Sequence, residues 1–406
     1  MRGVVFGLVG TMLAAALGPA PARALSLRDR LPEVARRTGL EPGPAFDALA
    51  DALADTAARN LPIIAASAGF TYRYNPELEV FERTSDTLGP LFLERPDTLG
   101  RNKFNFNVSY QYVELNEFDG ESTSSLAARN PLIARVTDAA GNLTGFTANR
   151  LRYDFDLTSH IIGFSFTYGL LDNLDVNLFV PLIDTVFDVT ANRTQVATAG
   201  PDLVFSPQPR GFAPATLDGS KFGVGDILLR AKYQLPRWAW MRSAAGLQLR
   251  LPSGDQDNFQ GTGDFEASPF LYASTLVWGR VEPHANVGVD LRTDDVDRSQ
   301  ARYGLGVDVD VTKRIGIALA FLGRDEFKRS SPAGETSFLH LTPAGPRQEP
   351  VLGLDFHRKD FFDFSFGARA VVWRQIMVFA NGIYALNDDG LRNDTIIPTV
   401  GVEGTF

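Results

Sequence analysis

The feature that most restricts the fold is a period-two alternation of apolar and polar residues, which begins near Lys103 and continues to the end of the chain. In residues 301–311, for example, the odd positions hold Ala, Tyr, Leu and Val, whereas Arg302, Asp308 and Asp310 lie between them. Successive side chains of a strand point to opposite faces of a sheet. Residues 103–406 are therefore predicted to form an all-β domain with one apolar and one polar face.

The lengths of the predicted strands and of their connections favour a membrane barrel over a soluble sandwich. Soluble strands usually hold about five or six residues, whereas a tilted transmembrane strand needs about 9 to 11. Short and long connections alternate along the chain, as in bacterial outer-membrane barrels. We predict a transmembrane antiparallel β-barrel of about twelve strands, with ten to fourteen left open, near residues 103–114, 151–169, 174–190, 224–235, 240–251, 265–278, 281–292, 300–311, 315–326, 361–372, 376–387 and 395–406.

Composition excludes several classes of protein. The mean hydropathy is −0.06, and no stretch after the N-terminus approaches the 18 or so apolar residues of a membrane-spanning helix. The chain has no cysteine, so disulfides and cysteine-based metal sites are impossible. Its formal net charge of −9 argues against a nucleic-acid partner.

Residues 1–24 have the pattern of a cleaved signal peptide. Arg2 precedes an apolar run from Val4 to Leu17, and Ala22-Arg23-Ala24 is an A-x-A cleavage site. An uncleaved membrane anchor is the alternative. Export together with a barrel predicts the outer membrane of a Gram-negative bacterium.

Two segments precede the predicted barrel. Residues 25–66 are expected to be a helical periplasmic segment, because Phe46, Leu49 and Leu53 recur at helical spacing. Residues 67–102 are interrupted by Pro76, Pro90 and Pro96, and are expected to plug the lumen or to lie at the periplasmic mouth.

Aromatic residues cluster beside the predicted short turns. Trp and Tyr are enriched where a membrane meets water, so these side chains are predicted to form an interface belt. The terminal Phe406, on an amphipathic last strand, is predicted to be a signal for the barrel assembly machinery, although Gly404 departs from the usual bulky residue. The predicted belt consists of Tyr168, Tyr233, Trp238, Trp240, Trp278 and Trp373.

The polar face of the predicted strands gives a set of candidate lumen-lining residues of both charge signs. Inside a barrel such side chains either line a water-filled path or pair across strands and fill the tube. Both interpretations remain open from the sequence. The candidates are Asp226, Arg230, Lys232, Gln248, Arg250, Glu282, His284, Asp290, Arg302, Asp308, Arg369 and Glu403.

Three other sequence motifs do not indicate a functional site. Gly223-Val224-Gly225 is followed by a strand pattern, so it is interpreted as a bend or as a site where the N-terminal segment packs closely, not as a phosphate loop. The acidic stretch with Asp255, Asp257, Asp264 and Glu266 lacks a calcium-loop pattern, so we expect a solvated outer loop and no metal. Ser159 and His160 suggest acyl hydrolysis, but neighbouring strand residues face opposite sides.

Two stretches resemble a known family. They are Phe222-Gly-Val-Gly-Asp226, with Lys232-Tyr233 and Leu251-Pro-Ser-Gly-Asp255, and the upstream run from Leu88 to Arg101 with Tyr110-Gln-Tyr112. These residues are similar to outer-membrane proteins grouped with the phenol meta-pathway degradation transporters. The resemblance implies a barrel that admits small aromatic or other hydrophobic molecules, and it transfers no binding residue.

The function expected from the sequence is passive uptake of small, hydrophobic or aromatic solutes through an outer-membrane channel. Such a channel is not an enzyme and needs no cofactor. Its expected partners are outer-membrane lipid, the barrel assembly machinery and a small-molecule solute. The alternative is a structural or surface-exposed barrel with a closed lumen and partner-binding loops, and a barrel enzyme is a third possibility.

Overall fold

The protein is described here from a computed structural model. Its described residues are 25–406 except 41–49, 51–52, 55, 60–64, 66–71, 76–79, 84–91, 128–131, 239, 294–295, 297–298, 329–336, 343–344, 351–357 and 374. The predicted signal peptide at residues 1–24 lies outside them. Within the described ranges, no helix is both long enough and apolar enough to cross a bilayer.

Twelve long strands form the wall of a closed antiparallel barrel, as predicted. Each pairs with its neighbours in chain order, and the predicted boundaries agree with most of the observed ones within a few residues. The strands are β1 Phe104–Leu115, β2 Leu143–Leu171, β3 Leu174–Ala199, β4 Ile227–Gln234, β5 Met241–Leu251, β6 Glu266–Thr275, β7 Val281–Arg292, β8 Gln300–Asp310, β9 Ile315–Glu326, β10 Asp360–Trp373, β11 Ile376–Ala385 and β12 Ile396–Thr405.

The barrel closes where the last strand pairs with the first. In this seam Thr399 of β12 lies opposite Gln111 of β1, and Thr405 lies opposite Asn105. Backbone hydrogen bonds in both directions between Phe104 and Phe406 extend the seam by one further pair. Closure leaves no sheet edge in the wall, which is a requirement for β structure inside a bilayer.

The two longest strands differ from the prediction. Residues 115–150 and 191–223 were expected to be long loops, but β2 and β3 continue through much of them as one paired ribbon. Shorter strands pair along this ribbon, so hydrogen bonding and not loop structure satisfies the backbone there. They are Leu126–Ala127, Leu132–Thr137, Phe205–Gly211, Ala215–Leu217 and Ser220–Val224.

The remaining short elements are not part of the wall. Hairpins join Tyr72–Asn75 to Val80–Arg83 and Ser337–Thr342 to Gly345–Pro350. A small sheet joins Leu391–Arg392, Glu117–Phe118 and Glu121–Ser122. Helical elements are α1 at Arg30–Arg37 and 3-10 turns at Thr123–Ser125 and Gln256–Asn258.

The two faces of the wall have the predicted chemistry. Outward side chains in the middle of the strands are large and apolar, and Leu271, Val287 and Leu305 are 55–63% exposed. Inward side chains such as Asn105, Ser165 and Glu282 are fully buried. A continuous exposed apolar band on a closed barrel is the surface of a protein surrounded by lipid. The chain is therefore an outer-membrane β-barrel.

The N-terminal helical region, which consists of α1 and the described helical residues of 50–59, lies at the barrel end that carries the long connections. The Tyr153 hydroxyl donates to the Leu31 carbonyl, and Arg193 donates to the carbonyls of Thr38 and Gly39. The main apolar core forms here between α1, described helical residues of 50–59, and the inner faces of β2 and β3. The apolar face of α1 is buried against the extended β2–β3 ribbon, and the periplasmic position expected for residues 25–66 stays a prediction.

A charge on the outer face tests the proposed orientation of the wall. Leu305 lies midway along β8, so Leu305→Arg should lower the free energy of unfolding by about 2–4 kcal/mol in lipid vesicles. Val311→Arg, beyond the short-turn end of the same strand, should cost about 0–1 kcal/mol. Urea titration of both variants in vesicles measures the difference, and equal effects would contradict a lipid-facing Leu305.

Candidate functional site

The predicted lumen residues lie on the inner face of the barrel, and most are buried there. Their burial results from a second layer of protein inside the tube, because a bare tube of this kind would leave them in contact with water. The inward residues with at most 7% exposure are Asp226, Lys232, Gln248, Arg250, Glu282, His284, Asp290, Asp308, Arg369 and Glu403. Arg230 and Arg302 lie on the same face and line a cavity described below.

Residues 92–101, called here the lower plug, occupy the lumen towards the barrel end that carries the short turns. Three of its charged side chains reach wall residues. The Lys232 ammonium lies 3.3 Å from Glu94, and the Arg242 guanidinium lies 2.8 Å from Asp97. The sequence left open whether Lys232 pairs across strands or lines a water path. In the structure its ammonium group binds the lower plug.

Arg95 is the centre of this contact. Its side chain is fully buried and lies 3.6 Å from Glu282 and 3.8 Å from Asp308. Glu282 also pairs with Arg242 at 2.7 Å, and His284 lies 3.7 Å from Asp308. Removing one member of such a buried network leaves an uncompensated charge, which costs about 3–5 kcal/mol. The network therefore fixes the lower plug against β5, β7 and β8.

Glycines in β8 make room for the lower plug. A Cβ at Gly304 would lie 2.4 Å from a methyl of Leu93, and one at Gly306 would lie 3.0 Å from the other methyl. The sequence assigned Gly223 and Gly225 either to a bend or to packing of the N-terminal segment. A Cβ at either glycine would instead meet Gln260 of the loop after β5, and the strand is interrupted at Gly225 and Asp226.

The end of the lower plug is tied to the short turn between β2 and β3. The Leu99 amide donates to Asp175 at 2.9 Å, and the Thr98 hydroxyl donates to the Asp172 carbonyl at 2.8 Å. The chain then enters β1 on the same side. The lower plug is thus anchored at both its buried centre and its exit.

The G-x-G-D pattern of the family resemblance has a structural use. Asp226 accepts hydrogen bonds from the amides of Gly254 and Thr262 and from the Thr262 hydroxyl, at 2.8–3.1 Å. Gln260 donates to the carbonyls of Ile183 and Lys221, and its carbonyl lies 3.0 Å from where a Gly225 Cβ would be. The two glycines therefore let the loop after β5 fold inward over the wall.

The acidic outer loop is solvated only in part: Asp255 is exposed and the Asp257 side chain is 47% exposed, whereas Asp264 and Glu266 are largely buried. Arg59, from the N-terminal helical region, lies 3.0 Å from Asp264 and 3.4 Å from Glu266. Arg250 lies 3.8 Å from Glu266, and Arg292 also pairs with Asp264. Asp264 and Glu266 turn inward, where these guanidiniums neutralise them. Within the described ranges, no group of three or more His, Cys, Asp or Glu side chains is arranged to hold a metal ion.

A cavity of about 170 Å³ lies in the lumen between these two layers of inner protein. Arg59 and Ala65 line it from the N-terminal helical side, and Phe92, Leu93 and Glu94 line it from the lower plug. The wall contributes aromatic, aliphatic and cationic side chains. The principal wall residues are Arg230, Gln248, Phe270, Tyr272, Asn286, Arg302, Leu322, Arg324, Asp363, Ile383, Arg392 and Ile397.

The predicted interface aromatics lie on the outer surface near the short turns. Trp238, Trp240, Trp278 and Trp373 are 61–88% exposed, and Tyr168 and Tyr233 are 39% and 45% exposed. Phe406 is 66% exposed beside the closing seam. These positions fit the predicted roles in the membrane interface and in assembly, which remain predictions.

Ser159 and His160 do not form a catalytic pair. Ser159 is buried on the inner face, whereas the Nδ1 atom of His160 lies 2.8 Å from the Tyr110 hydroxyl on the outer face. Opposite strand faces separate the two side chains, as the sequence indicated.

Sequence reasoning missed several residues that shape the lumen. Glu94, Arg95, Asp97 and Arg59 lie in segments without strand periodicity, so no local pattern assigned them a facing side. Phe270 and Tyr272 break the alternation because both rings point inward, with their centroids 5.9 Å apart and their planes 10° apart. Two aromatics at polar-face positions were the available signal for an inner apolar surface.

Comparison with known proteins supports the family resemblance. Residues 137–327 match the sequence profile of a family described as putative MetA-pathway of phenol degradation. This confirms the resemblance over that part of the chain. No curated protein has a matching sequence.

Similar solved structures are outer-membrane barrels of low sequence identity. The COG4313 outer membrane channel from Pseudomonas putida F1 is 13% identical, with a TM-score of 0.46 over 76% of this chain and 97% of that one. A Pseudomonas aeruginosa FadL homologue is 9% identical (TM-score 0.33; 75% and 90% covered). The CymD monoaromatic hydrocarbon channel is 8% identical (TM-score 0.31; 76% and 89% covered).

Arg95 provides a test of how the lower plug is held. Arg95→Met should weaken docking of the lower plug by about 3–5 kcal/mol, because Glu282 and Asp308 lose a buried cation. The expected result is a larger single-channel conductance in planar bilayers and faster proteolysis within residues 92–101. The wall should remain folded, as shown by heat-modifiable migration on a gel.

The matched control is Arg101→Met, in the same segment but exposed at its exit. Its conductance and proteolysis should equal those of the unmodified protein. Equal behaviour of the Arg95 and Arg101 variants would refute the docking network.

Proposed function

We propose that this barrel is an outer-membrane channel for passive uptake of small aromatic or other hydrophobic solutes, with a lumen closed at rest by its own N-terminal segment. The observation that carries the proposal is the cavity of about 170 Å³ inside the barrel, with aromatic and aliphatic side chains in its lining. The match of residues 137–327 to the phenol-degradation family supports it. The partners in this proposal are outer-membrane lipid, the barrel assembly machinery and the solute.

The size of the cavity indicates the size of the solute. An engineered protein cavity of about 150 Å³ lined by Leu, Ile and Phe binds benzene. A cavity of about 170 Å³ lined in part by Phe92, Phe270 and Leu322 therefore accommodates one aromatic ring with a small substituent. Larger solutes require movement of the inner layers.

Passage through the barrel requires displacement of the lower plug. Its ion pairs with Lys232, Arg242 and Glu282 close the lumen towards the short-turn end. These contacts are charged, and water entering the lumen weakens them by raising the local dielectric constant. We propose that the lower plug moves as a gate and that the cavity is a waiting position for the solute above it.

The closed lumen also favours a second candidate function. A barrel whose plug is held by buried charges could serve as a surface-exposed structural protein that binds partners through its loops. The ribbon formed by β2 and β3 extends the wall far beyond the other strands and offers such a surface. Neither candidate uses catalysis, and we propose that the protein is not an enzyme.

A variant that fills the cavity distinguishes the uptake channel from the structural barrel. Leu322→Trp adds an aromatic side chain to the cavity lining, so it should reduce uptake of radiolabelled toluene at least fivefold in porin-deficient Gram-negative cells that produce the protein. Leu319→Trp, on the outer face of the same strand, is the matched control and should leave uptake unchanged. The assay compares initial uptake rates at equal amounts of folded barrel.

Two measurements together would refute the channel proposal. If cells with the unmodified protein take up toluene no faster than cells without it, and planar bilayers show no current, the channel proposal fails. The structural-barrel candidate would then be preferred.

A further inference from the structure

We infer that the lumen cavity is a binding site for single-ring aromatic carboxylates, an inference that rests on the proposed function and narrows its substrate class. The cavity combines a cationic inner surface with aromatic walls, whereas a site for neutral hydrocarbons needs only the second feature. Both features come from the described residues that line the cavity.

The cavity surface is rich in guanidinium groups. Among the described lining residues there are five arginines and two carboxylates. Arg302 is close enough to Arg230 and to Arg324 for their charges to repel, whereas Glu94 attracts Arg230 and Asp363 attracts Arg324. Asp363 also pairs with Arg392 at 2.7 Å. Guanidinium groups that converge on one space repel one another, and an anion entering that space relieves the repulsion.

Part of the compensating negative charge lies behind the surface and not on it. Arg302 pairs at 2.7 Å with Asp290, which is fully buried and does not line the cavity. Arg59 pairs in the same way with Asp264 and Glu266. These carboxylates lie outside the cavity lining, so the two guanidiniums form part of the cavity surface itself, and a planar guanidinium matches the geometry of a carboxylate.

Aromatic side chains that line the cavity provide a packing surface for the aromatic ring of the solute. Phe270 and Tyr272 are stacked on the inner face of β6, and Phe92 lines the cavity from the lower plug. The Tyr272 hydroxyl adds a donor at the same wall. A benzoate-sized molecule thus finds apolar contact for its ring and charge-assisted donors for its carboxylate in one space of about 170 Å³.

The test is calorimetric titration of the full-length protein in detergent with sodium benzoate, benzyl alcohol and sodium acetate. Benzoate should bind about tenfold more tightly than benzyl alcohol, because charge-assisted hydrogen bonds are stronger than neutral ones and a carboxylate accepts two from one guanidinium. Benzoate should also bind at least tenfold more tightly than acetate, which lacks the ring.

Variants identify the cationic groups. Arg324→Gln and Arg230→Gln should each lower benzoate affinity about tenfold while leaving benzyl alcohol affinity within twofold. Arg280→Gln, at an exposed short turn, is the matched control and should change neither affinity. Retained benzyl alcohol binding shows that a variant is folded, and the comparison of ligands on the unmodified protein decides the question if both variants misfold.

The outcomes distinguish this inference from the proposed function. Benzyl alcohol binding as tightly as benzoate would overturn the carboxylate specificity and leave the channel intact. Acetate binding as tightly as benzoate would overturn the aromatic part. Absence of binding by all three, together with absent toluene uptake, would remove the proposed function as well.

Discussion

Backbone hydrogen bonding in a medium without water is the constraint on which the rest of the structure depends. A sheet surrounded by lipid must close, because an open edge would leave amides and carbonyls without partners. Closure through the β1–β12 seam fixes one face of every strand towards lipid and turns the other, largely polar face into the tube. The interior then holds charges of both signs at short range, and their arrangement determines whether solute, water or protein occupies it.

The N-terminal part of the chain acts as a second partner for that interior. Residues 92–101 bring Glu94, Arg95 and Asp97 to the charged wall, and Arg59 neutralises the inward acidic loop. Polar groups that would otherwise need water are thus paired with protein. The space left between the two inner layers is where aromatic surface and guanidinium groups coincide, so the proposed binding site arises from incomplete filling of the tube.

Local periodicity was enough to predict the wall, and distance along the chain explains what it missed. Alternation assigned a face to residues such as Asn105 and Leu305, and it placed the strand boundaries closely. It could not extend β2 and β3, because the residues beyond the membrane need no strict apolar face. It also could not pair Arg95 with Glu282, since the two are 187 positions apart in the sequence and nothing local to either encodes the contact. Phe270 and Tyr272 were informative exceptions, because two inward rings depart from the polar rule where the solute is proposed to bind.

The path of the N-terminal segment has a consequence for how the molecule is made. Its first described residues lie at the end with long connections, yet residues 98–101 leave at the opposite end and continue directly into β1. Residues 92–101 lie inside the closed cylinder, pair with its wall and are covalently joined to it. The order of synthesis, inner segment first and wall afterwards, lets the final seam close around these residues while they are already in place.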